Sequence, residues 1–369
     1  MGGPKTHKAA VLYGAQDIRI EDVPTTDPLP HEVQIAPRAT GICGTDLHYY
    51  QNGRNGAFVV EEPLVLGHEA AGEVIALGAD AAKTTDIKVG DRVAIEPQWP
   101  CSACVLCRKG KYNLCQNLMF SGSASSKPPM QGSLQQAYNH PAAFVYRLPD
   151  NVGFAEGAMV EPLSVAIHSV RRSAIEAGQS VLVTGAGAIG LFCAAVARIS
   201  GAAVVTMIDI DQSRLDFAER HGYADRTMII PLGGNAGESK ADFATRMANE
   251  SLEREGWSAA DISFECTGVE VCANICINSA APGGKVVIVG MGAPQQSLSV
   301  FTAARKEVDI LNVWRYANTF EAAIKLVSTG GLNIKPLITH TFRLENAGQC
   351  LKTVMERPPG LVKSVIVSE

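Results

Sequence analysis

The stretch Val181-Leu182-Val183-Thr184-Gly185-Ala186-Gly187-Ala188-Ile189-Gly190 decides the architecture of this chain. Its apolar start reads as a short buried strand, and the G-x-G-x-x-G that follows opens a small-residue helix from Leu191 to Ser200. Glycine at these places permits a tight turn, close approach of the backbone to a ligand, and close helix–strand packing. The setting makes the motif specific. The next apolar run, Val204-Val205-Thr206-Met207-Ile208, ends at Asp209, nineteen residues past Gly190, where a carboxylate can hold a ribose 2′-hydroxyl. An acid there repels the extra phosphate of NADP, so the pattern predicts NAD, with Arg214 along the adenine end. The plain alternative for Asp209 is a strand-end turn residue.

Outward from this stretch the alternation of strands and helices continues. Ile262-Ser263-Phe264-Glu265-Cys266 and Val286-Val287-Ile288-Val289-Gly290 read as parallel strands, separated by a helix that carries Cys272 and Cys276. Those two cysteines lie four apart on one helix face and read as core. Upstream, from Lys8 to about Pro149, short alternating runs such as Val33-Gln34-Ile35-Ala36 and Gly72-Glu73-Val74-Ile75 predict an irregular β-rich domain. After about Glu307 short strands and single helices return, ending in Val362 to Val367. The expected organisation is an α/β chain: a β-rich domain over 1–163, a doubly wound parallel-sheet domain over 164–307, and 308–369 completing the first domain.

Two polar clusters in the β-rich part carry metal chemistry. Gly41-Ile42-Cys43-Gly44-Thr45-Asp46-Leu47-His48 and Gly67-His68-Glu69-Ala70-Ala71-Gly72 offer a thiolate, an imidazole and a carboxylate, the side-chain types of open catalytic zinc sites. Thr45, Asp46 and His48 add a hydroxyl, a supporting carboxylate and an imidazole, as a proton-moving site requires. Cys101, Cys104, Cys107 and Cys115 then form C-x₂-C-x₂-C-x₇-C within a lobe over 96–116. Four thiolates so close in sequence can close a tetrahedron around Zn²⁺ and leave no open position, which makes this site structural. An iron–sulfur cluster uses the same ligand count, but nothing else in the chain speaks for electron transfer. Phe120 to Gly132, rich in Ser, Pro and Gly, reads as a loop, and Glu161-Pro162 reads as a helix start favoured by the helix dipole.

Composition narrows the function. The 369 residues carry a net charge of −5 and give no electrostatic reason to expect nucleic acid or an anionic membrane as partner. No apolar run approaches a membrane span. With no apolar leader after Met1, the cysteine spacing favours metal in a reducing compartment, and a cytoplasmic location is expected. Met1-Gly2-Gly3-Pro4-Lys5-Thr6 formally fits an acylation pattern and Asn249-Glu250-Ser251 a glycosylation acceptor; both read as chance matches.

Taken together, Gly67-His68-Glu69-x-x-Gly72-x₅-Gly78, the four-cysteine lobe, Glu161-Pro162-Leu163-Ser164, the dinucleotide fingerprint and Arg315-Tyr316-Ala317-Asn318-Thr319 resemble the zinc-dependent medium-chain dehydrogenases, over nearly the whole chain. Within them the chain looks like the polyol branch of sorbitol, xylitol and L-arabinitol dehydrogenases. Mammalian sorbitol dehydrogenase lacks the four-cysteine lobe, so in that respect the chain resembles microbial xylitol and arabinitol enzymes more. The resemblance implies a GroES-like catalytic domain with an inserted Rossmann domain, a homotetramer, and NAD-dependent oxidation of a polyol to a ketose. It places Cys43, His68, Glu69 and Glu161 at a catalytic zinc, with Glu161 bound directly or through water, where alcohol dehydrogenases have a second cysteine. It implies cofactor contacts from Gly185, Gly187, Ala188, Ile189, Gly190, Asp209, Arg214, Val289, Met291, Val313, Trp314 and Arg315. Substrate contacts are implied for Tyr49, Phe120, Glu161, Arg315 and Tyr316. Two rivals remain: an enzyme for simple or aromatic alcohols, disfavoured by a buried guanidinium, and a non-catalytic nucleotide-binding relative.

Overall fold

The computed structural model describes residues 5–368 and divides the chain into two compact units, Met1–Glu161 with Ala317–Glu369, and Pro162–Tyr316. Met1 to Pro4 of the formal acylation pattern lie outside the described residues. The second unit is organised on the strand Ser180–Thr184, which pairs in parallel with Val204–Asp209 on one side and Ala260–Glu265 on the other. Arg226–Ile229 extends the sheet beyond Val204–Asp209, and Ala280–Ile288 then Asp309–Asn312 extend it the other way. All six strands run parallel. The chain therefore reverses its winding direction between Ser180–Thr184 and Ala260–Glu265, and the glycine loop 185–190 lies at the carboxyl end of that switch, where ligands of open α/β sheets bind.

Two expectations need adjustment. The boundary expected between 307 and 308 falls too early, because Asp309–Asn312 pairs with Ala280–Ile288 and the unit ends at Tyr316. Its four residues, Asp-Ile-Leu-Asn, are too few and too polar at the ends to announce a strand. The edge strand Arg226–Ile229 also went unread, since only Met228 of its four residues is buried. Cys272 and Cys276 are core, as expected.

The first unit is built on a sheet in the order Val145–Arg147, Arg92–Ile95, Glu69–Leu77, Glu32–Gly41, Lys363–Val367, Ile338–Arg343, with Tyr138–Pro141 also paired to Glu32–Gly41. Alternate residues Val33, Ile35, Val74, Val93 and Ile95 face one apolar cluster with Tyr138 and Val145. A second cluster gathers Leu12, Tyr49, Tyr50, Leu64, Leu66, Leu134, Leu351 and Ile366. The register decides what comes next. Gly41 lies opposite Glu69 on one side and opposite Val365 on the other, so Cys43, Glu69 and Lys363 converge from segments far apart in sequence.

Candidate metal and dinucleotide sites

Cys43 stands at the N-terminus of the helix Gly44–Asn52, which Gly53 ends in left-handed conformation (φ 63°). Asp46, in the first turn, organises the surroundings. Its Oδ2 accepts the Cys43 N–H at 2.9 Å, its Oδ1 accepts the Gly67 N–H at 3.1 Å, and Oδ1 faces His68 Nδ1 at 3.5 Å. The side chain is fully buried, yet the imidazole and these N–H donors outweigh burial and hold the carboxyl below its usual range. Gly67 (φ 91°) makes the turn that lets its amide reach Asp46 and carries His68 inward.

The thiol of Cys43, a ring nitrogen of His68 and a carboxylate oxygen of Glu69 all lie within 4.8 Å of one another. Glu69 is held from behind by Lys363, whose Nζ lies 2.7 Å from Oε1 and 2.6 Å from Oε2. Only Oε1 receives a well-aligned hydrogen bond; Oε2, although inside the ion pair, has no hydrogen-bond donor directed at it. His68 Nδ1 is likewise buried and off-line from Asp46. Gly41 supplies the room, since a Cβ there would lie 2.2 Å from Glu69 Oε2. Against burial, Asp46 and the Cys43 thiol hold the His68 proton well above the ordinary imidazole range. A buried carboxylate oxygen with no donor directed at it, beside a thiol and an imidazole, fits a divalent cation that would displace the imidazole proton on binding, and sulfur, nitrogen and oxygen donors fit zinc.

Glu161 is buried near the start of the helix Val160–Ser173 and is not one of the three groups that converge within 4.8 Å. It is near enough to Lys363 to act on its charge, and so sits around the same ammonium as Cys43 and Glu69. Thr45 is half-buried and His48 exposed, one helical turn apart on the helix that begins after Cys43. The ring of Phe120 packs on His68 with centroids 5.3 Å apart. Tyr49 is fully buried, its hydroxyl shared with Ser123 Oγ at 3.0 Å and the Ala124 N–H at 3.1 Å, so it anchors the serine-rich loop. Lys363 was missed by sequence reasoning; its signal was a lone charge in the apolar tail strand Lys-Ser-Val-Ile-Val.

The four cysteines also converge. Their sulfurs lie 3.5 Å apart for Cys104 and Cys107 and for Cys101 and Cys115, and 3.9 Å for Cys101 and Cys107 and for Cys104 and Cys115. A tetrahedral Zn²⁺ with bonds of about 2.3 Å sets its sulfurs about 3.8 Å apart, so the cage is already of the right size. Backbone N–H groups of Ala103 and Cys104 pull the Cys101 thiol down to about 6, as suits a thiolate ligand.

In the second unit the three glycines do different work. Gly185 turns the chain with φ 96°; a Cβ on Gly190 would lie 1.8 Å from the Gly185 carbonyl oxygen; a Cβ on Gly187 would meet only Arg214 Nη1, 4.0 Å away. Gly190 is thus needed for packing, and Gly187 keeps an open face beneath the Arg214 guanidinium, which fits a pyrophosphate. Ala188 and Ile189 open the helix Ala188–Ile199. Asp209 ends its strand with a buried carboxylate that accepts the Ala186 N–H at 2.5 Å and the Asp211 N–H at 2.9 Å, tying the glycine loop to the end of the neighbouring strand. Val289 and Met291 follow the strand Ala280–Ile288, with Met291 exposed; Val313 and Trp314 follow Asp309–Asn312. The Arg315 guanidinium stacks on the Trp314 ring at 5.1 Å, and Tyr316 is fully buried.

Comparison with known proteins identifies the family. The family model for the alcohol dehydrogenase GroES-like domain matches residues 29–150, and that for the zinc-binding dehydrogenase matches residues 188–329. Sorbitol dehydrogenase of Gallus gallus is 42% identical over 345 residues, covering 94% of this chain and 92% of its own. Sorbitol dehydrogenase of Bos taurus is 41% identical over 350 residues, covering 93% and 91%. Among solved structures, L-idonate 5-dehydrogenase from Escherichia coli superposes with a TM-score of 0.85 at 25% identity, over 99% of each chain.

Proposed function

The chain belongs to the zinc-dependent medium-chain dehydrogenases, and on that premise we propose that it oxidises a sugar alcohol to its ketose, with NAD⁺ as the hydride acceptor. The observation that carries the reading is the buried meeting of Cys43, His68 and Glu69 in a chain so similar to sorbitol dehydrogenases. The reaction balances as secondary alcohol plus NAD⁺ giving ketone, NADH and one proton.

Zinc, when bound, supplies Lewis acidity that lowers the pKa of the reacting hydroxyl toward neutrality. Cys43, His68 and Glu69 hold it, with Glu161 beside them as a further ligand, direct or through water. Asp46 fixes the ring orientation of His68 through its bonds to the Cys43 and Gly67 amides. Lys363 balances the excess negative charge of Cys43, Glu69 and Glu161. Thr45 accepts the hydroxyl proton, and exposed His48 one turn away passes it toward solvent. Phe120 covers His68 and keeps bulk water from the reacting centre. Arg315 and Tyr316 are assigned to the polyol hydroxyls, with Tyr49 holding the loop behind Phe120. On the cofactor side, Gly187 and Arg214 receive the pyrophosphate, Asp209 the adenosine ribose, and Val289, Met291, Val313 and Trp314 the nicotinamide half. The four-cysteine cage takes a structural zinc. A cytoplasmic homotetramer completes the reading, and light scattering on purified protein tests the subunit count.

The deciding experiment measures initial rates on xylitol, L-arabinitol, D-sorbitol, galactitol and ethanol with NAD⁺ and with NADP⁺. The reading expects turnover of at least one polyol with NAD⁺ and little with ethanol or NADP⁺. Faster turnover of ethanol than of every polyol would transfer the chain to the simple-alcohol enzymes.

A further inference from the structure

The four-cysteine lobe leaves the first unit and returns to it through a neck of two short antiparallel strands, Gln98–Trp99 and Met119–Phe120, with Met119 opposite Trp99 and Phe120 opposite Gln98. Strands this short do not hold together in water by themselves. The neck is closed at its far end by the cage of Cys101, Cys104, Cys107 and Cys115, and at its near end by Ser121. The buried Ser121 hydroxyl accepts the Trp99 indole N–H at 3.0 Å and meets the Tyr138 hydroxyl, and the Ser121 N–H donates to the Pro97 carbonyl at 3.0 Å. Tyr138 lies on a strand paired to Glu32–Gly41, so Ser121 fastens the neck to the main sheet of the unit.

Beyond the neck the chain runs onto the histidine of the candidate metal site. The Phe120 ring packs on the His68 ring with centroids 5.3 Å apart. Two residues later, Gly122 approaches Gly67 so closely that a Cβ on it would stand 2.7 Å from the Gly67 carbonyl oxygen and 3.0 Å from the Gly67 nitrogen. That nitrogen is the one whose hydrogen Asp46 accepts. One continuous segment, from Met119 to Gly122, thus joins the cage to the turn that carries His68, and every residue named belongs to the first unit. Emptying the cage opens the loop from Cys101 to Cys115, and the freedom gained there enters the strand that ends at Phe120.

We propose that the four-cysteine cage positions the imidazole of the catalytic metal site: metal in the cage stiffens the neck, Ser121 and Phe120 carry that order to His68, and the two sites bind zinc cooperatively. The proposal rests on the assignment of Cys43, His68 and Glu69 to the catalytic zinc. Ser121 is a positioning residue that touches no reacting atom, and Phe120 acts here through His68.

The test measures zinc affinity by chelator competition in the full-length parent, Cys104→Ser, Ser121→Ala and Cys43→Ser, the catalytic-site ion being the one that Cys43→Ser lacks. Cys104→Ser breaks the cage. Ser121→Ala leaves all four cysteines in place and removes the fastening, so it decides the question alone if Cys104→Ser fails to fold. Expected are one zinc per chain in Cys104→Ser and two in Ser121→Ala, with catalytic-site affinity lowered about tenfold in both. Amide exchange over residues 66–70 should quicken in both variants while the strand Val204–Asp209 of the other unit keeps its protection, a contrast that a general loss of stability does not produce. The proposal is overturned if catalytic-site affinity stays within about twofold of the parent in either folded variant, or if exchange over 66–70 does not respond. If Cys43→Ser keeps as many zinc ions as the parent, the assignment of the catalytic metal fails and takes the proposal with it. If Cys43→Ser loses one ion while the two lobe variants are silent, the coupling alone fails.

Discussion

Replacing Lys363 with methionine tests the electrostatic construction of the metal site. The ammonium lies 2.7 Å and 2.6 Å from the two oxygens of Glu69, with the side chains 6% and 1% exposed. At an effective dielectric of about 20 such a contact is worth about 6 kcal/mol of gross attraction, much of it offset by desolvation of both ions. Deleting one partner leaves the other buried and unpaired, which costs about 3–5 kcal/mol. For a unit of this size each kcal/mol moves the melting temperature by about 2–4 °C, so Lys363→Met should melt about 6–20 °C lower in metal-free protein. A zinc ion beside Glu69 replaces part of the lost charge, so the deficit should shrink to less than half in zinc-loaded protein. Lys363→Met combined with Glu69→Gln removes both charges and should recover most of the stability of the metal-free form. The assay is thermal unfolding of the three proteins after chelator treatment and after zinc reloading. A single variant melting within about 2 °C of the parent when metal-free, or a double variant no better than the single, would refute the reasoning.

Three further outcomes follow from the geometry. Gly41→Ala places a Cβ 2.2 Å from Glu69 Oε2 and 2.9 Å from Met159 Cε, so the carboxylate must move; the purified variant should bind one zinc fewer per chain by elemental analysis while the cysteine cage keeps its own. Gly187→Ala and Gly190→Ala should separate binding from packing: the first leaves the melting temperature unchanged but weakens NADH at least about tenfold by fluorescence titration, whereas the second lowers both. His140 is buried between the Tyr138 hydroxyl and the Glu96 carbonyl, and burial pushes its pKa down to about 3. Its unfolded value is near 6.5, so acidification protonates the unfolded chain first and stability falls as pH drops below about 6.5. Between pH 6.5 and 4.5 this amounts to about 2.3 kcal/mol, and urea unfolding of metal-free His140→Gln should show that much less acid destabilisation than the parent.

What the sequence disclosed was chemistry packed into short stretches. The glycine loop with Asp209 and the four cysteines each lie within about thirty residues, and their spacing carries the physical requirement directly. Cys43, His68 and Glu69 were readable as ligand types and Asp46 as a supporting carboxylate, but their meeting depends on the register that sets Gly41 opposite Glu69. Lys363 escaped because its partner lies 294 residues away and pattern reasoning has no term for such a pair. Asn318 was read only as part of a family motif, whereas its hydrogen bonds to Gly110 and Tyr112 are visible only in the fold. The edge strands Arg226–Ile229 and Asp309–Asn312 were missed because an edge needs few buried residues, and the second of them moved the unit boundary to Tyr316.

The most direct test of the account is zinc content together with zinc X-ray absorption, on the parent protein and on Cys43→Ser. Two zinc ions per chain are expected, with a mixed shell of sulfur and lighter donors. Cys43→Ser should lose one ion and the lighter donors with it, leaving an all-sulfur shell at about 2.3 Å from the cysteine cage. A parent with one zinc in an all-sulfur shell, or a Cys43→Ser protein that keeps both ions and the mixed shell, would contradict the assignment of Cys43, His68 and Glu69 to a catalytic metal.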